Sequence, residues 1–161
     1  MNKLFTGIIF TALVFSACSK IPVVELPITT SSPKALEYYK KAMLSAQVGD
    51  GFETRQYLDS ALALDPNFVM ALDRYESLDP IKKREQREMA KSLQNTVTDA
   101  EQLILKIRNA YRGGNMDDAL ENAKKLVENY SDTYESYVWL GFVQSDRHEI
   151  DDATISLKKA I

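Results

Sequence analysis

The sequence predicts an all-α fold, an α-solenoid of about four helical hairpins whose second member is degenerate and whose last is truncated. Three observations carry the prediction. Residues 114–120 (GNMDDAL) and 148–154 (HEIDDAT) lie 34 positions apart and share a turn, an acidic pair and an alanine. A fixed period of that length is what stacked helical hairpins leave in a sequence. From Ser32 onward apolar residues recur at helical spacing, and caps, glycines and prolines that start and stop helices stand between the stripes.

The amino terminus has a different composition. Asn2 and Lys3 make a polar, positive start, and residues 4–15 form an apolar run well short of the roughly 20 residues a spanning helix needs. That is the pattern of an export signal over residues 1–17. A signal-peptidase cut after Ala17 would place Phe15 where a small residue is wanted. Ser16-Ala17-Cys18 instead resembles the bacterial lipobox, with Phe15 where most carry leucine, and the resemblance implies lipidation of Cys18. Cys18 is the only cysteine, which excludes an intrachain disulfide and a cysteine-based metal cluster. With Cys18, residues 18–33 hold three prolines and no helical period, the composition of an extended tether reaching on the order of 45 Å at about 3 Å per residue.

The repeat domain is expected over residues 34–161. Ser32 is an N-cap with Pro33 behind it, where a missing N–H costs nothing, and Leu36, Tyr39, Met43 and Ala46 mark a buried stripe. Gly49-Asp50-Gly51 ends this helix, and its partner, residues 52–64, stops at Asp65-Pro66-Asn67. A third helix is expected over residues 68–78 and a fourth, the most polar, over 81–94 behind Asp79-Pro80. Thr98 and Glu101 make a capping box for the fifth, whose inner face holds Leu103, Ile104, Ile107 and Ala110. Gly113-Gly114 closes it. The sixth covers residues 116–129. The seventh starts behind Asp132, with Glu135 as box partner, and runs to about Ser145; the eighth begins near Ile150 and continues to Ile161.

Leu103 and Tyr137, Ile107 and Gly141, Ala119 and Ala153, and Leu126 and Ala160 are each 34 apart, whereas Gly49 to Gly114 is 65, three short of two periods. The middle hairpin has therefore lost residues. Small residues at 119, 141, 153 and 160 fit where helices approach within about 8 to 10 Å. Tyr137, Leu140, Gly141, Ile150-Asp151-Asp152-Ala153, Leu157 and Ala160, with Gly49-Asp50 and Ala61-Leu62, Leu64-Asp65-Pro66-Asn67 in the first hairpin, resemble the tetratricopeptide repeat over residues 33–161. Thr54, Ser131, His148 and the middle hairpin depart from its pattern. With the lipobox and the proline-rich tether, the whole is similar to tetratricopeptide lipoproteins of Gram-negative bacteria of the Bacteroidetes type.

That resemblance implies a non-enzymatic scaffold without cofactor, lipid-anchored in the cell envelope, binding a protein or peptide in a concave groove. The groove positions carried over are Tyr39, Met43 and Gln47; Ile104, Arg108, Tyr111 and Arg112; and Val138, Phe142 and Ser145. Ile104 and Val138 are expected to pack against a neighbouring hairpin, and Arg108, Tyr111 and Arg112 suit an acidic or peptide partner. Ser19 is not the aspartate that resembles an inner-membrane retention signal, which favours the outer membrane, facing periplasm or surface. Self-association through the repeat faces is a further expectation. The alternative is an amino-terminal fragment whose sensory or enzymatic activity lies beyond Ile161, because the last helix ends on apolar residues without a closing cap.

Other features read as structural. The net charge of −3 lacks the positive field that phosphate recognition needs, so nucleic acid is not expected as a partner. His148, the only histidine, stands where the repeat places a turn glycine, though its acidic neighbours suit a metal or general base. Asp117-Asp118 and Asp151-Asp152 each open a helix, where negative charge meets the positive dipole end, and no calcium-loop spacing surrounds them. Gly113-Gly114 follows a helix and lacks a phosphate-loop continuation. Lys82, Lys83, Arg84, Arg87 and Lys91 could touch anionic lipid, but Glu85 and Glu88 interleave at pairing distance.

Overall fold

The computed structural model describes residues 24–75 and 77–161. The expected export signal, the lipidation at Cys18 and the first part of the tether lie outside the described residues. Within them the chain is all-α: α1 (Pro33–Gln47), α2 (Gly51–Leu64), α3 (Val69–Arg74), α4 (Pro80–Leu93), α5 (Asp99–Gly113), α6 (Met116–Asn129), α7 (Tyr134–Asp146) and α8 (Ile150–Lys159), with one 3-10 turn at Gln94–Thr96. They pair as hairpins, α1 on α2, α3 on α4, α5 on α6 and α7 on α8, while α6 packs on α7 and α3 touches both α2 and α5.

Local chemistry sets the helix ends. Ser32 caps α1 by accepting from the Ala35 N–H, and Pro33 takes the first turn. Thr98 and Glu101 form the reciprocal capping box of α5. Three turns, those joining α1 to α2, α5 to α6 and α7 to α8, share one geometry. Gly49, Gly114 and His148 have φ of 79°, 72° and 64°, and the following amide of each reaches back to close the helix, Asp50 to Ser45 O at 3.0 Å, Asn115 to Ala110 O at 2.9 Å and Glu149 to Gln144 O at 2.9 Å. His148 is exposed and occupies the left-handed turn position, as its register predicts.

Two boundaries differ from expectation. The third helix ends at Arg74 because Tyr75 takes an extended backbone (φ −61°, ψ 120°), turning its ring into the core and its hydroxyl onto Asp59 Oδ1 at 2.7 Å. The seventh begins behind Thr133, not Asp132. Thr133 Oγ1 lies 2.6 Å from Ser136 Oγ and donates to Tyr130 O at 3.0 Å, so the expected box with Glu135 does not form.

The degenerate hairpin supplies the centre of the core. Val69, Met70, Ala71, Leu72 and Asp73, five of the six residues of α3, are buried, as a helix apolar on most sides must be. Phe68, Leu58, Ile107 and Leu126 pack around it with no significant exposure. By contrast α4 buries only Ala90. In the last hairpin a Cβ on Gly141 would stand 2.6 Å from Leu157 Cγ, so α7 and α8 close as tightly as the small residue implies.

The carboxy-terminal part of the expected tether is extended but docked. Val24 forms a parallel bridge with Thr133, and Leu26 is buried at 6 % exposure. Thr98 Oγ1 donates to Pro27 O at 3.1 Å. The Thr29 N–H and hydroxyl donate to the two oxygens of Glu101 at 2.9 and 2.7 Å, while the Thr30 hydroxyl and Ser31 N–H share Asp65 Oδ2 at 2.6 and 2.8 Å. Residues 24–32 thus form a strap over the helix ends rather than a free spacer; buried carboxylates in need of donors take the place of solvent.

Candidate functional site

The side chains expected to line a groove stand on α1, α5 and α7, and those of α5 meet α3. Tyr39 is a correction: it is 4 % exposed, its ring lies 5.0 Å from that of Phe68, and burial raises its hydroxyl pKa. It is a core residue. Met43 is half-buried against the same core, and Gln47, at the end of α1, is exposed.

Arg108 and Arg112, one turn apart on α5, converge on Asp73 at the end of α3. Arg108 Nε pairs with Asp73 Oδ2, and Arg112 Nη1 stands 2.7 Å from Oδ1. Arg112 Nη2 also donates to the Asp73 carbonyl at 3.1 Å. Asp73 is only 3 % exposed. Burial opposes its charge, but the hydrogen bond from Arg112 and the charges of Arg108 and Arg112 outweigh it and hold the carboxyl below its ordinary pKa. The Arg108 side chain keeps 17 % of its surface and that of Arg112 27 %, so these arginines clamp α5 to α3 first and face solvent second.

Three more groups complete the cluster. The Arg74 guanidinium sits 5.4 Å from the centre of the Trp139 ring, near the Tyr39 hydroxyl, and makes no ion pair among the described residues. Its charge, after burial itself, lowers the pKa of Arg108. Tyr111 is half-buried, its pKa raised by burial and by the nearby Asp146 carboxylate, although no hydrogen bond of normal geometry reaches its hydroxyl. Phe142 is 54 % exposed and Ser145 is exposed beside it. Of the two positions expected to pack, Ile104 is buried and Val138 half-buried.

Sequence reasoning missed Asp73, Arg74 and Trp139. A signal for the first two was present: an adjacent acid and base inside the apolar run FVMALDRY marks a charge that must be paired when the run is buried. Chemically the face offers three guanidiniums, the aromatic rings of Tyr111, Trp139 and Phe142, and one buried carboxylate, with Asp146 near Tyr111.

Other candidates fall into structural roles. Asp117-Asp118 and Asp151-Asp152 lie in the first turns of α6 and α8. Lys82 stands 5.1 Å over the Tyr75 ring. Among the described residues no three metal-ligating side chains cluster, and no helix is long and apolar enough to cross a membrane. No known family model matches the chain, and no curated protein matches it.

Proposed function

We propose that this chain is a non-enzymatic scaffold of tetratricopeptide type, lipid-anchored through Cys18 at the outer membrane and facing the periplasm or the surface. The concave face built from α1, α3, α5 and α7 binds an acidic segment of a protein or peptide partner. One observation carries the reading: Arg108 and Arg112 converge on the single carboxylate of Asp73, with the Arg74 guanidinium over the Trp139 ring adding a third positive charge, and Phe142, one turn beyond Trp139 on α7, exposes its ring. A half-buried excess of guanidinium favours an incoming carboxylate, and an exposed aromatic on the same face supplies rigid contact area.

A photo-crosslinking residue placed at Phe142 in the cell tests the face. A discrete adduct is expected there and none from the same residue at Gln56, an exposed position on α2. Equal products from both positions, or none from Phe142, overturn the assignment. Incorporation of labelled fatty acid, abolished by Cys18→Ala, is the expected result for the anchor; label that survives the substitution removes it.

A further inference from the structure

The strap touches the amino-terminal ends of three odd-numbered helices in succession. From Val24 to Ser32 it contacts Thr133 ahead of α7, Thr98 and Glu101 at the start of α5, Asp65 between α2 and α3, and then becomes the cap of α1. Glu25 adds an ion pair to Lys40 of α1. Residues 24–32 span eight Cα-to-Cα steps, about 27 Å at roughly 3.4 Å each. The helix ends that it joins cannot spread beyond that reach while it stays docked.

The same four helices are tied a second time, away from the strap, by contacts that include the carboxy-terminal ends of α3 and α5. Tyr39 meets Phe68, Asp73 meets Arg108 and Arg112, and Arg74 lies over Trp139. Both α5 guanidiniums turn inward onto Asp73 and keep only 17 % and 27 % of their side-chain surface, so a carboxylate from outside meets only part of them while α3 and α5 stay clamped. Apart from the Glu25–Lys40 pair, the strap's polar contacts are N–H and O–H donors to the Glu101 and Asp65 carboxylates and one hydrogen bond accepted by the Pro27 carbonyl.

We propose that residues 24–32 are an autoinhibitory clasp, which ties the last hairpin to the first and holds the face of α1, α3, α5 and α7 closed until it undocks. The clasp itself stands on the geometry above; its effect on a partner rests on the function proposed for that face.

The test uses the full chain with Cys18→Ser and spin labels at Lys41→Cys on α1 and Ser145→Cys on α7, both exposed positions. The triple variant Leu26→Ser, Thr29→Val, Thr30→Val removes the buried anchor and two hydroxyl donors, and a second variant lacks residues 24–31. In both, the distance between the labels is expected to shift to longer values and broaden, with helical circular dichroism retained. Thr154→Val, whose hydroxyl bonds only within α8, should leave the distance unchanged. A variant without residues 24–31 that keeps the native distance overturns the clasp, and so does one that loses its helical content, because the strap is then an integral part of the fold. Crosslinking from Phe142 should rise in the triple variant. If the distance lengthens but crosslinking does not rise, the clasp stands and the binding face is the part that fails.

Discussion

Replacing Arg108 and Arg112 together by alanine separates a clamp from a binding residue. The double change leaves Asp73, 3 % exposed, without either guanidinium and with α5 unfastened from α3. Removing one side of a buried pair costs about 3–5 kcal/mol, a large share of the roughly 5–15 kcal/mol that holds a domain together. At about 2–4 °C per kcal/mol for a chain of this size, the melting temperature should fall by roughly 10 °C. Arg108→Ala alone should cost less, about 1.5–3 kcal/mol, because Arg112 still donates to both Asp73 Oδ1 and its carbonyl. The loss should also depend on pH in a definite sense. The Asp73 pKa is depressed in the folded state, so its contribution is fully present above the unfolded carboxylate pKa of about 3.9 and disappears as pH falls through the lower folded value. Thermal melts followed by circular dichroism should therefore differ most between parent and double variant at neutral pH and converge in acid. In an Asp73→Asn background the two arginine changes should cost much less. A double variant melting within about 2 °C of the parent at pH 7, far below the shift expected from a broken buried pair, would falsify the clamp.

Gly141→Ala should destabilise by about 1–3 kcal/mol, since its Cβ would stand 2.6 Å from Leu157 Cγ; urea titration measures the loss, and Leu157→Ala should recover part of it. His148→Gly should stabilise by about 0.5–1 kcal/mol by relieving the left-handed backbone, read from the same titration, and a loss of stability would contradict the turn assignment. Thr98→Ala should cost about 1–2 kcal/mol through the α5 cap and also free Pro27 O, so amide exchange should accelerate along the strap. The Asp65 carboxyl is held below its ordinary pKa against its burial by hydrogen bonds from Thr30 and Ser31. Its hold on the strap is therefore fully present above about pH 4 and is lost as the pH falls through the lower folded value, and exchange at the Ser31 amide, corrected for intrinsic rate, should rise as acid is added.

Where one hairpin ends and the next begins was legible because local chemistry decides it. Ser32, Asp50, Asp79 and Thr98 cap whatever follows them, and positions 49, 114 and 148 turn left-handed whatever packs around them. The strap was not legible. Three prolines and no helical period look the same whether the segment is free or laid along a surface, and what holds it down, Asp65 and Glu101, already had readings as a helix stop and a capping-box partner. The internal partner of Arg108 and Arg112 was not legible for a related reason. A polar side chain on an inward helix face invites an external ligand until its internal partner is found, and Asp73 sits 35 positions away from Arg108 in the one hairpin that broke the period. Tyr39 carried two readings, one in the buried stripe of the first helix and one in the groove, and the structure keeps the first, against Phe68.

The strap also imposes an order on assembly. Hairpins form from contacts between neighbours in sequence, which close small loops and form fast. Residues 27 and 29 must find Thr98 and Glu101, separated from them by 71 and 72 positions, and Val24 must wait for Thr133, beyond them all. On a chain made from its amino terminus, the segment synthesised ahead of every described helix is thus the last to be seated. Until Thr133 and α7 exist, Val24 has no bridge partner, and the strap stays open to anything that recognises extended, incompletely folded chain. The bridge from Val24 records that the last described hairpin has arrived.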